Sequence, residues 1–144
     1  MMAVKRRLYV AVLAVVIVLS VGSLSALANN YTDTDFSFGF PPNSTTNQYT
    51  AARAKTDASS AYMKLQSLSG SDSNPSYTAS VVRYNYTNFS RTWYYSFNRS
   101  NINQGRYLSN YAFEDDGKVD VRIKARAGSV HGFGAYGVWS PDSI

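Results

Sequence analysis

The chain has no cysteine and a single histidine among its 144 residues. Without thiols there is no disulfide, thiolate nucleophile, Cys-based zinc or iron–sulfur site or haem-attachment motif, and any centre needing two histidine ligands is excluded by inventory. Charge is sparse as well: Asp, Glu, Lys and Arg make up 16% of the chain, while 12 Tyr, 7 Phe and 2 Trp supply 15%. A disordered chain has the opposite balance, so this is the composition of a folded one. At 144 residues there is room for one domain with a small appendage and none for a two-domain enzyme.

Long apolar runs are missing from all but the N-terminus. There, Lys5, Arg6 and Arg7 precede a 12-residue apolar run from Leu8 to Leu19, and Ser23 to Ala28 supplies small residues ending in Ala-x-Ala. That layout predicts a secretory signal peptide over residues 1–28, helical and cleaved after Ala28, followed by a single domain over residues 29–144. The competing reading is an uncleaved anchor, since the segment counted through Ala28 is 21 residues, enough for a bilayer core of about 30 Å. The short purely apolar stretch and the well-formed Ala-x-Ala site favour cleavage, and with it a secreted, extracellular protein.

Setting that segment aside changes the charge argument. The whole chain is +5, but three of its 14 basic residues lie before Ala28, leaving 11 basic against 9 acidic residues, a net of +2. Nucleic acid is therefore not an expected partner. Export without disulfides requires a core that stands unaided, and 116 residues with 20 aromatics suffice for one.

Helical periodicity is absent beyond the leader; alternation is common. Lys118 to Ala127 sets five apolar residues against five charged ones, and Arg91 to Asn98 groups Trp93, Tyr95 and Phe97 on one face. Ser80 to Tyr86 groups Val82, Tyr84 and Tyr86, and Ala61, Met63 and Leu65 alternate around Lys64. Weaker alternation covers 36–40, 48–55, 106–113 and 135–139, with Pro, Gly, Asn and Ser clusters between. Seven or eight short strands at this spacing predict an all-β fold, a compact antiparallel β-sandwich. At Asp115-Asp116-Gly117 a three-residue hairpin loop, pairing Phe113 with Val119 and Tyr111 with Val121, keeps apolar residues on one face, whereas a two-residue loop does not. Trp93, Tyr95, Phe97, Val119, Val121 and Ile123 are then expected to share a core.

Few constellations carry chemistry. Gly132 to Gly137 matches G-x-G-x-x-G, but a dinucleotide site needs a following helix and a later acidic residue, and only seven residues follow. It reads as a Gly-rich entry to the last strand. His131 lacks any nucleophile-elbow signature, and the acidic groups Asp33/Asp35 and Glu114 to Asp116 lack calcium-loop spacing. No catalytic, cofactor-binding or metal residue is assigned, no cofactor is expected, and the chain is read as non-enzymatic. Five Asn-x-Ser/Thr triplets are no more than chance in a chain this rich in Asn, Ser and Thr.

Two surface features stand out instead. Lys118, Arg122, Lys124 and Arg126 form a basic ladder interrupted only by Asp120. Tyrosines exceed what one core needs, notably Tyr94 opposite the Trp93 face, with Tyr31, Tyr49 and Tyr77 near loops. The ladder reads either as a solvated face that discourages edge pairing or as a contact for an anionic cell-envelope polymer or a membrane surface.

The blocks Phe36 to Phe40, Ala52 to Lys64 and Gly137 to Ser143, together with the leader, resemble small cysteine-poor secreted proteins of Gram-positive bacteria similar in pattern to the lactococcin-type β-sandwich bacteriocins. The resemblance implies export, a compact antiparallel sandwich and action at cell envelopes; it assigns no functional residues. The functional expectation is a secreted protein binding an envelope component or partner protein, with a bacteriocin-like toxin as the alternative and a secreted hydrolase behind both.

Overall fold

The computed structural model describes residues 30–144, so the expected signal helix and the Ala28 cleavage point lie outside the described residues. Nine strands follow: β1 (Thr34–Phe40), β2 (Gln48–Tyr49), β3 (Arg53–Lys55), β4 (Ala61–Gly70), β5 (Ser76–Arg83), β6 (Tyr95–Asn98), β7 (Gly105–Leu108), β8 (Val119–Ala127) and β9 (Phe133–Ser140). They form two packed antiparallel sheets, one ordered β1-β9-β4-β7 and the other β2-β8-β5-β6, with β3 also pairing β8. The expected all-β sandwich is therefore present.

Period-two patterning explains which faces meet. Phe36, Phe38 and Phe40 on β1, Ala61, Met63 and Leu65 on β4, and Val121, Ile123 and Ala125 on β8 point into one core. A bulge between Leu65 and Ser67 resets the phase of β4, so that Leu68 returns to the interior. Rings fill the centre: Tyr77 stacks on Phe97 at 5.2 Å, and Phe40 packs on Phe133 at 4.7 Å. Gly137 lets β9 lie close to its neighbours, because a Cβ there would run into the Lys64 carbonyl and the Phe36 ring.

One end of the sandwich is tied by a fully buried ion pair. Lys55 Nζ lies 3.0 Å from Asp142, both side chains being 0% exposed, and also donates to the Pro141 carbonyl. Asp142 further accepts from the Asn30 amide and from the amide and hydroxyl of Thr56. Burial alone would raise this carboxyl, but those hydrogen bonds and the Lys55 charge hold it below its ordinary value.

Three local expectations are corrected. The 111–117 segment is no hairpin: Ala112–Asp116 is a short helix, α1, and β8 pairs with β5, β2 and β3 instead of with 106–113. Arg83 at the end of β5 reaches Asp116 at 2.5 Å and Asp115 at 3.5 Å, and the Ser90 amide donates to Asp115, so long-range partners claim the acidic residues that local spacing assigned to a turn. Trp93 is half-buried in a satellite cluster with Tyr111, 5.5 Å away, and Arg91; Trp139 is the tryptophan in the core. On β5 the inward phase is Tyr77, Ala79 and Val81, while 84–86 is a turn; Tyr77 is therefore a core residue and not a loop tyrosine.

Candidate functional site

The β5/β8 pairing sets opposite neighbours on the outer face: Thr78 with Arg126, Ser80 with Lys124, and Val82 with Arg122. Tyr49 of β2 pairs Lys124 on its other side. Thr78, Ser80, Lys124 and Arg126, joined by Asn47 and Tyr94, line a groove of about 320 Å³, at the small end for ligand sites. The lining contains two cations, an aromatic ring and three polar side chains, and no carboxylate.

Within it the side chains differ in freedom. Lys124 Nζ sits 5.8 Å from the Tyr94 ring centroid and 3.3 Å from Asn88 Oδ1. Tyr94 remains 59% exposed. Arg126 is exposed and has no hydrogen-bond or ion-pair partner among the described residues. The Ser80 hydroxyl is buried in the floor with no hydrogen-bond partner among the described residues. A buried hydroxyl left unpaired costs free energy, whereas one that meets a ligand oxygen recovers it.

The ladder read from sequence is thus broken into three parts. Lys124, Arg126 and Tyr94 come together. Arg122 is engaged structurally: it donates to the Tyr84 carbonyl at 3.0 Å and the Thr50 carbonyl at 2.7 Å, and stacks over Tyr86 at 5.1 Å. Tyr86 holds that position from a left-handed backbone, φ 71°, an unusual conformation for a bulky residue. Lys118 lies at the other end of β8, beside a separate shallow cavity shared with Ala54, Thr56 and Asp120, about 20 Å from Lys124 at the rise of an extended strand. Ser80 and Thr78 escaped the sequence reading because their place depends on the β5/β8 register, and the apolar pattern of 80–86 pointed to the opposite phase; Asn47 reaches the groove only through the pairing of β2 with β8.

His131 is exposed in the loop before β9. Among the described residues no group of three or more His, Asp or Glu is placed to hold a metal ion, and no helix is long and apolar enough to cross a membrane.

These observations define a disulfide-free antiparallel β-sandwich with an acid-free, basic and aromatic groove on one outer face. Residues 24–143 match DUF2712, described as a protein of unknown function, and the chain belongs to that family. No curated protein and no solved structure matches it.

Proposed function

We propose that this is a secreted, non-enzymatic protein that binds an anionic polymer of the cell envelope in the groove between β5, β8 and Tyr94. The observation that carries the reading is the convergence of Lys124, Arg126 and the unpartnered Ser80 hydroxyl on one groove without a carboxylate. Two cations attract a phosphate- or carboxylate-bearing repeat, Ser80 and Thr78 offer hydroxyl donors, and Tyr94 offers a ring for a sugar face. The leader sequence before Ala28 supports export to where such polymers lie.

Binding of the purified protein to isolated Gram-positive walls tests this. It should weaken steeply as the Debye length shrinks from about 10 Å at 0.1 M salt to about 3 Å at 1 M. The Lys124→Gln/Arg126→Gln variant should lose most of the binding at low salt; wall binding equal to that of the parent refutes the reading. The alternative, a bacteriocin-like toxin, rests on the resemblance carried by the leader and by Phe36 to Phe40, Ala52 to Lys64 and Gly137 to Ser143, and growth inhibition of indicator cells by the same preparation would favour it.

A further inference from the structure

The opposite outer face carries a different cluster. Tyr62 of β4 and Tyr107 of β7 are direct cross-strand partners, with rings 5.7 Å apart at 56°. Ser140 of β9 pairs Tyr62 on its other side. Tyr31 and Asp33, from the segment leading into β1, together with Ser143 and Ile144 beyond β9, complete a cavity of about 280 Å³. Its lining contains three phenol rings and a carboxylate, and neither Lys nor Arg. Tyr31 and Tyr107 are more than half exposed, so their ring faces are available to a ligand. Tyr62 lies over Gly105, where any side chain would collide with the ring.

Asp33 has no hydrogen-bond or ion-pair partner among the described residues. The cation that senses it, Arg53, is engaged elsewhere, donating to Thr34 Oγ1, the Trp139 carbonyl and Asn30 Oδ1. Partial burial and the nearby Asp33 charge push the Tyr62 phenol above its ordinary value, so it stays protonated and neutral. Several ring faces around one carboxylate that makes no direct ion pair among the described residues suit an organic cation: the rings present their negative faces, and the carboxylate, offset only in part by Arg53 at longer range, supplies negative charge.

We propose that Tyr31, Tyr62, Tyr107 and Asp33 form a binding site for a quaternary ammonium headgroup. A neutral sugar would use the rings and donate hydroxyl hydrogen bonds to Asp33 but leave its charge unneutralised, and an anion would be repelled by it. A trimethylammonium group gains from both, because its charge is diffuse and weakly hydrated and its methyl groups pack on rings. This site is independent of the anion-binding groove, which lies on the other sheet.

The test is calorimetric titration of the purified protein with choline and with its neutral isostere, 3,3-dimethyl-1-butanol. Choline should bind saturably, with Kd near or below about 1 mM, and the isostere at least about tenfold more weakly. Asp33→Asn and Tyr107→Ala should each weaken choline binding severalfold while leaving wall binding and the melting temperature close to those of the parent. Phosphatidylcholine vesicles form a second arm: sedimentation with them assigns a lipid headgroup, and choline binding without it a soluble ligand, either outcome supporting the site. Equal affinity for choline and the isostere, unchanged choline binding in Asp33→Asn, or no saturation by about 20 mM choline overturns the proposal.

Discussion

The two outer faces of the sandwich are built from the same strand chemistry, and the grooves they carry are lined by opposite charge. On the β5/β8 face, Lys124 and Arg126 stand over Ser80 and Thr78 with no acid in the groove; on the β4/β7/β9 face, Asp33 stands among tyrosines with no base. Inward positions of both sheets are apolar and interchangeable in kind, so the core says nothing about a ligand. What differs is the outward set that lines each groove, where the side-chain charges are of one sign, while Asp120 on β8 and Lys64 on β4 lie on the same faces outside the grooves. A merely solvated surface intersperses both signs; sorted charge beside exposed rings is what recognition uses.

The largest expected effect breaks the tyrosine-bearing end while leaving the basic groove's own contacts intact. Asp142→Ala removes one partner of a fully buried ion pair and strands Lys55, and should cost about 3–5 kcal/mol in chemical denaturation. The same carboxylate makes stability pH-dependent. Its folded pKa is depressed, so its contribution is present above the unfolded value of about 3.9 and disappears as pH falls through the folded one. Acid titration of the parent should show that loss below about pH 4, and Asp142→Asn should lack this component. Of comparable size, Trp139→Ala should cost about 3–5 kcal/mol, and Trp93→Ala, in its half-buried satellite cluster, clearly less. Equal losses from the two tryptophans would restore Trp93 to the core.

A smaller effect separates three members of the basic ladder that are alike in sequence. Arg122→Gln removes two carbonyl-directed bonds and a ring contact, so it should destabilise by about 1–2 kcal/mol. Lys124→Gln and Arg126→Gln should each stay within about 0.5 kcal/mol, with their effect confined to wall binding. Thermal melts and pull-down of the three variants side by side check this; a destabilised Arg126→Gln would remove the reason for treating Arg126 as a free contact.

Strand chemistry was legible wherever it was local. The alternation of 118–127 marked β8 and its inward Val121, Ile123 and Ala125, and Ala61, Met63 and Leu65 marked β4. What failed depended on distant partners. Asp115 and Asp116 resemble a turn until Arg83, more than thirty residues earlier, claims them. Half of the candidate site was readable for the same reason: Lys124, Arg126 and Tyr94 were visible as charge and ring, but Ser80 joins them only through the pairing of β5 with β8. The tyrosine cluster was out of reach, because Tyr31, Tyr62 and Tyr107 come from three separated segments that only the sheet order assembles.

The finest comparison is within β5 itself, which buries two hydroxyls without hydrogen-bond partners among the described residues, one on each face: Tyr77 inside the core and Ser80 in the floor of the groove. Removing an unpaired buried hydroxyl relieves a desolvation penalty instead of breaking a bond, so both Tyr77→Phe and Ser80→Ala should leave stability unchanged or raise it by up to about 1 kcal/mol. Burial already drives the Tyr77 phenol far above its ordinary value, so no pH dependence should appear in the physiological range for that site. Their effects on binding should diverge. Tyr77 has no access to a ligand, and Tyr77→Phe should bind walls like the parent; Ser80 borders Lys124 and Arg126, and its loss should weaken wall binding about tenfold or more, the worth of one hydrogen bond to a charged group. If Ser80→Ala gains stability and keeps full binding, its hydroxyl is a packing imperfection like that of Tyr77, and recognition at this groove reduces to Lys124, Arg126 and the Tyr94 ring.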